Sequence, residues 1–134
     1  MHPVRTAALA GYMGLLLLVS LIPESRTSVG MLLERVPSTL QNLLHIPAFG
    51  LLAWLWIEQL NAGGQTNGRN VAWTLLIVLS YALLTELIQA GVPARTASVG
   101  DFALDAAGAG LALTVHRAVK LPRPIDTIKD MPHA

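Results

Sequence analysis

Glu86, Gln89, Arg95, Ser98, Asp101 and Asp105 crowd into a short stretch whose flanks carry almost no charge. Acids and a guanidinium in such a place suit the capture of a polar group or proton transfer to one. Ionisable side chains at the rim of an apolar segment are expensive to hold there, so a function is the first hypothesis for them. Glu86 and Gln89 are three residues apart and Asp101 and Asp105 four apart, spacings that put each pair on one helix face. Arg95 lies between the pairs, and its planar fork of donors can bridge two carboxylates. If one arginine cannot serve three acids, one carboxylate is left for general acid or base work, with Glu86 first in line and Asp101 beside it. His45, at the start of another apolar stretch, is expected at the same depth, where it could relay a proton or touch a headgroup. Arg95, Gln89, Ser98 and Asp105 are the candidate binding groups. A competing reading needs no ligand: Arg95 neutralises Glu86 and Asp101, Ser98 and Asp101 cap a helix, and Gln89 completes a network that locks a hairpin.

Other chemistries fit less well. Glu86, Asp101, Asp105 and His45 would form an oxygen-rich set, but their spacing matches no metal-binding pattern, and a guanidinium among them opposes a cation. Neither a metal nor another cofactor is expected. The chain has no glycine-rich phosphate loop, nucleophile elbow or His-Glu-x-x-His motif. With no cysteine it has neither disulfides nor thiolate chemistry.

The elements that must hold these residues read as membrane helices. The 134 residues are 53% hydrophobic and 13% charged, against roughly 25% charge in soluble domains, and the mean hydropathy is +0.54. A net charge of +1 and the lack of a basic run argue against nucleic acid as a partner. Four apolar stretches predict spans at about 6–23, 43–60, 71–90 and 99–119, each near the ~20 residues a bilayer requires. The expected fold is all-α, a four-helix transmembrane bundle with both termini on one side. Residues 1–120 would form the transmembrane domain, and 121–134 a polar cytoplasmic tail.

The first stretch ends in Ile-Pro-Glu-Ser rather than a small-residue cleavage site, which favours a retained span over a signal peptide. Residues 24–42 read as an interfacial loop. Pro47 suits a first helical turn, so the second span should begin near His45, and Trp54 and Trp56 should mark its far end at the headgroups. Ser98 and Asp101 have capping-box spacing. The Ala-Ala-Gly-Ala-Gly stretch from Ala106 to Gly110 lacks bulk, which allows close helix approach. Arg5, Arg69, Arg117, Lys120, Arg123 and Lys129 lie on the terminal side, against Arg26, Arg35 and Arg95 on the other, a bias that places the termini in the cytoplasm. The polar cluster then faces outward from a bacterial cytoplasmic (inner) membrane. His116, Arg117 and Lys120 are expected as interfacial anchors, and Glu58 as a solvated helix end.

His45 and Phe49, followed by Tyr81, Glu86, Gln89, Pro93, Arg95, Ser98, Asp101, Asp105 and Gly108, resemble the pattern of the VanZ-like family from about Gln41 to Leu113. Members often carry Asp-Lys ahead of the histidine, where this chain has Gln41 and Asn42, and often Asn in place of Asp105. The resemblance implies a small integral membrane protein of the cell envelope. The family is named for a member linked to low-level teicoplanin resistance, a glycopeptide phenotype.

Two functions follow as expectations. In the first, an outward-facing cleft binds a membrane lipid or lipid-linked cell-wall headgroup and possesses the groups for acid-base chemistry on it. In the second, the chain is a non-enzymatic accessory subunit, docking other transmembrane proteins through the small residues Ala103, Ala107, Gly110 and Thr114.

Overall fold

Proline near a helix start costs nothing, because its missing N–H would have no partner there, and helix α1 spans Pro3–Ser20. Proline also accounts for the next interruption. Helix α2, Ser38–Leu43, is followed after Leu44 by α3, His45–Leu60. Pro47 has no N–H to offer the Leu43 carbonyl four residues back, so the ladder breaks at that point. Helix α4, Gly68–Gln89, is capped by Asn67, whose side-chain oxygen accepts the Asn70 N–H at 2.8 Å. Helix α5 is Val99–Lys120. The computed structural model describes residues 3–21, 37–61, 66–92 and 98–120, and every regular element among them is helical.

Two expectations about the spans change. Three runs are long and apolar enough to cross a membrane: Pro3–Ser20, Thr39–Leu60 and Gly68–Gln89. The second begins at Thr39 because Ser38–Leu43, expected in an interfacial loop, is helical and leads into α3. Helix α5 matches α4 in length at 22 residues, but Asp101, Asp105, His116, Arg117 and Lys120 make it the least apolar of the long helices. It tolerates that composition by turning Asp105 and His116 inward, where they are 0% and 1% exposed. The rest of the predicted loop and the tail 121–134 lie outside the described residues.

Helix α3 is the hub, packed most extensively on α5 and then on α4 and α1. Helices α3 and α5 run parallel, since the start of one pairs with the start of the other (His45 with Asp105) and end pairs with end (Glu58 with His116). Gly108 makes this approach possible. A Cβ on Gly108 would collide with the Ile46 carbonyl oxygen, and one on Gly50 would stand 3.2 Å from the Gly108 carbonyl. Lipid supplies no water-driven force between helices, so close backbone packing of this kind has to hold them. Phe49, Leu52, Ala53 and Ile57 of α3 fill the core with Val78, Tyr81 and Ala82 of α4 and Ala109 and Leu113 of α5.

Helix α1 fully buries only Leu9, packs Tyr12, Met13 and Leu16 against the core, and is also attached by hydrogen bonds. The Tyr12 hydroxyl donates to the Ala48 carbonyl at 2.9 Å, the Tyr81 hydroxyl to the Met13 carbonyl at 2.5 Å, and Gln59 Nε2 to Thr6 Oγ1 at 3.0 Å. The last bond sets the start of α1 beside the end of α3, where Lys120 near the end of α5 also meets Glu58. Both ends of the described chain therefore lie at the same end of the bundle.

Candidate functional site

The end of the bundle where α3 begins is built from three helices. His45 takes the first position of α3 and Asp105 the second turn of α5, and the closeness of these helices brings His45 Nδ1 to 2.8 Å from Asp105 Oδ1. The Asp105 side chain is fully buried, whereas the His45 side chain is 24% exposed. Phe49, one turn below His45, lies parallel to its ring with centroids 6.3 Å apart, and Tyr81 of α4 backs Phe49 at 6.4 Å. Glu86 and Gln89 of α4 are both buried on the same face. Glu86, Asp101 and Asp105 all lie within electrostatic reach of His45.

The start of α5 is held in a way the capping-box spacing only half describes. Ser98 Oγ accepts the Asp101 N–H at 3.2 Å, as expected. The Ser98 N–H, which a capping box would pair with the Asp101 side chain, donates instead to Glu86 Oε2 of α4 at 2.7 Å. Glu86 thus pins the α4–α5 hairpin, and Asp101 is released from capping. Asp101 Oδ1 and Asp105 Oδ2 are both buried without a hydrogen-bond partner among the described residues.

Of the residues chosen from sequence, the structure brings together His45, Glu86, Ser98, Asp101 and Asp105, with Gln89 buried a turn from Glu86. Arg95, given the central bridging role, and Pro93 lie outside the described residues. Among the described residues the strongest contact of the cluster is the His45–Asp105 pair. When Nδ1 carries the proton it donates a hydrogen bond to Asp105 Oδ1, and the ring is oriented with Nε2 unpaired among the described residues. No three or more His, Asp or Glu side chains among the described residues are placed to hold a metal ion.

Beside this cluster an open apolar groove of about 400 Å³ runs along the α3–α5 seam. It begins at Ile46 and Pro47, next to His45, passes over Gly50 and Gly108, and ends at Trp54 and Val115. The same glycines that let the backbones meet leave its floor bare of side chains.

The opposite end carries a second histidine–acid pair that the sequence did not reveal. His116 Nε2 lies 2.8 Å from Glu58 Oε1, and Lys120 Nζ lies 3.3 Å from the same oxygen. Trp54 meets the His116 ring edge-on with centroids 4.9 Å apart, and His116 Nδ1 is 3.5 Å from Thr66 Oγ1. Glu58 is therefore a paired group rather than a free helix end, and His116 is a buried one rather than an interfacial anchor. The eleven residues from Asp105 to His116 are close to three helical turns, a spacing that marks both as facing α3.

Among known protein families, the model for VanZ/LLP1 matches residues 5–120. No curated protein and no solved structure matches the chain.

Proposed function

The chain belongs to the VanZ/LLP1 family, and from that premise we propose that it binds the headgroup of a membrane lipid, or of a lipid-linked cell-wall intermediate, at the His45–Asp105 end of the bundle. The observation that carries this reading is the Asp105 carboxyl. It is fully buried, uses one oxygen on His45, and leaves the other without a partner among the described residues. A buried polar group is normally hydrogen-bonded, since leaving it unpaired costs roughly 1–3 kcal/mol, and a polar headgroup is a natural partner. The adjoining groove supports a lipid over a free solute, because it offers an apolar trough to the chain attached to such a headgroup. The basic residues of the terminal side favour cytoplasmic termini, which turns this site toward the outer face of a bacterial cytoplasmic membrane. His45 Nε2 then stands where it can exchange a proton with the ligand.

Native mass spectrometry of protein extracted in mild detergent tests this. Wild-type protein is expected to retain lipid, His45→Ala and Asp105→Asn to lose most of it, and Glu58→Gln, at the opposite end, to keep it. Equal retention in all four proteins would remove the reading.

One observation favours a second role. Ala103, Ala107 and Thr114 are exposed along α5 and a Cβ on Gly110 would meet nothing, so a face of small residues is left unused within the chain. Such faces suit helix–helix docking in lipid, as in an accessory subunit of a larger membrane complex. Co-migration with a large assembly after gentle extraction supports this role, and a solitary lipid-binding monomer speaks against it.

A further inference from the structure

The two ends of the bundle treat their acids differently, and the difference points to the chemistry of the ligand. Glu58 receives two donors on one oxygen, from His116 and Lys120. At the other end three carboxylates, those of Glu86, Asp101 and Asp105, share His45 and one backbone N–H among the described residues. Two of their oxygens, Asp105 Oδ2 and Asp101 Oδ1, are buried and unpartnered, and the Asp105 side chain is 0% exposed. Ionised carboxylates only accept hydrogen bonds, so what this end lacks among the described residues is donors and positive charge. A phosphate would bring more acceptors and more negative charge. A hydroxyl would bring one donor and no charge. An ammonium group brings three donors, no acceptor and a positive charge, and charge-assisted bonds to carboxylates are roughly twice as strong as neutral ones.

Resting on the lipid-headgroup reading above, we propose that the group recognised at this end is a primary ammonium of an amine-bearing lipid. Asp105 Oδ2 and Asp101 Oδ1 accept its N–H donors, while Glu86 stays occupied with the Ser98 N–H. The groove begins at Ile46 and Pro47, the residues that follow His45, and takes part of an acyl chain. The site is then selective for N–H donors and not merely for positive charge.

The probe is a set of lipids with identical acyl chains: phosphatidylethanolamine, its mono-, di- and trimethylated derivatives, and phosphatidylglycerol. Each is presented to the detergent-solubilised full chain, and retention is read by native mass spectrometry. Retention is expected to fall stepwise as N–H donors are removed, with the trimethylated lipid and phosphatidylglycerol at least about tenfold weaker than phosphatidylethanolamine, a gap of about 1.4 kcal/mol. Asp105→Asn should flatten the series. The methylation series in the wild-type protein needs no substitution, so it stands even if the variant folds poorly. Equal retention of the ethanolamine and trimethylated lipids, or a preference for phosphatidylglycerol, overturns the ammonium proposal while the headgroup reading survives. A series in which His45→Ala and Asp105→Asn change no lipid's retention overturns both.

Discussion

The His45–Asp105 and Glu58–His116 pairs join the same two parallel helices at opposite ends, each with a histidine nitrogen and a carboxylate oxygen 2.8 Å apart. They differ in what surrounds them. Glu58 has a second donor in Lys120 and is 28% exposed. Asp105 is sealed from solvent, has two further acids nearby and keeps an oxygen unpaired. A paired acid at a helix end is a fastening; a buried acid with an oxygen to spare holds acceptor capacity that the fold does not use. An unpaired buried acceptor is a cost in stability, and it is in this that the two ends of the molecule differ.

Separating the helices should disturb both ends, and it is the largest effect expected. Gly108→Ala would drive a Cβ against the Ile46 carbonyl, and overpacking against backbone should cost about 3 kcal/mol. Thermal unfolding in detergent measures it, with Gly110→Ala as a control that meets nothing and should stay within about 1 kcal/mol of wild type. A Gly108→Ala protein as stable as wild type would mean that α3 and α5 are not in close contact.

The next effect opposes one end to the other. His116→Ala empties a buried position and takes a partner from Glu58, for an expected loss of about 2 kcal/mol with lipid retention unchanged. Asp105→Asn removes the acid and keeps the shape. It should leave stability near that of wild type while lowering lipid retention. If Asp105→Asn proves the more destabilising of the two, the His45 end is also a fastening and the contrast fails.

Smaller effects concern the supports. Tyr81→Phe removes the hydroxyl that donates to the Met13 carbonyl and should cost roughly 0.6 kcal/mol, typical of hydrogen bonds in membrane proteins. Faster proteolysis within α1 would register the loosening. Lys120→Ala should be the mildest, below about 0.5 kcal/mol in the same unfolding assay, because Lys120 is 56% exposed and an exposed pair adds little. A larger loss would show that Lys120, rather than His116, is what holds Glu58.

Much of the architecture was legible along the chain. Uncharged stretches of membrane length marked the long helices, Pro47 marked the start of α3, and Ser98 the start of α5. Gly108, within the stretch lacking bulk, marked the close approach. The extra helical turn at Ser38–Leu43 was hidden by Pro37 and polar neighbours, which read as a loop. The site was legible in membership more than in wiring. Glu86, Ser98, Asp101, Asp105 and His45 were selected as polar residues in apolar surroundings, and they do meet. Which partner each takes was not readable. Glu86 reaches Ser98 across a helix boundary, Asp105 reaches His45 sixty residues away, and Glu58 and His116 read as a solvated helix end and an interfacial anchor because each lies near polar residues in the sequence.

By itself, the amino-acid order determined that this is a helical membrane protein of the VanZ/LLP1 pattern, since span length, charge depletion and helix-breaking residues are local properties fixed by bilayer thickness and backbone chemistry. Only the tertiary structure decided that α3 and α5 lie parallel in contact through Gly50 and Gly108. The pairing of His45 with Asp105, and of Glu58 with His116, follows from that contact. Hydrogen bonds between side chains depend on distances of a few ångströms between helices remote in sequence, and no periodicity along one helix specifies which neighbour it will face.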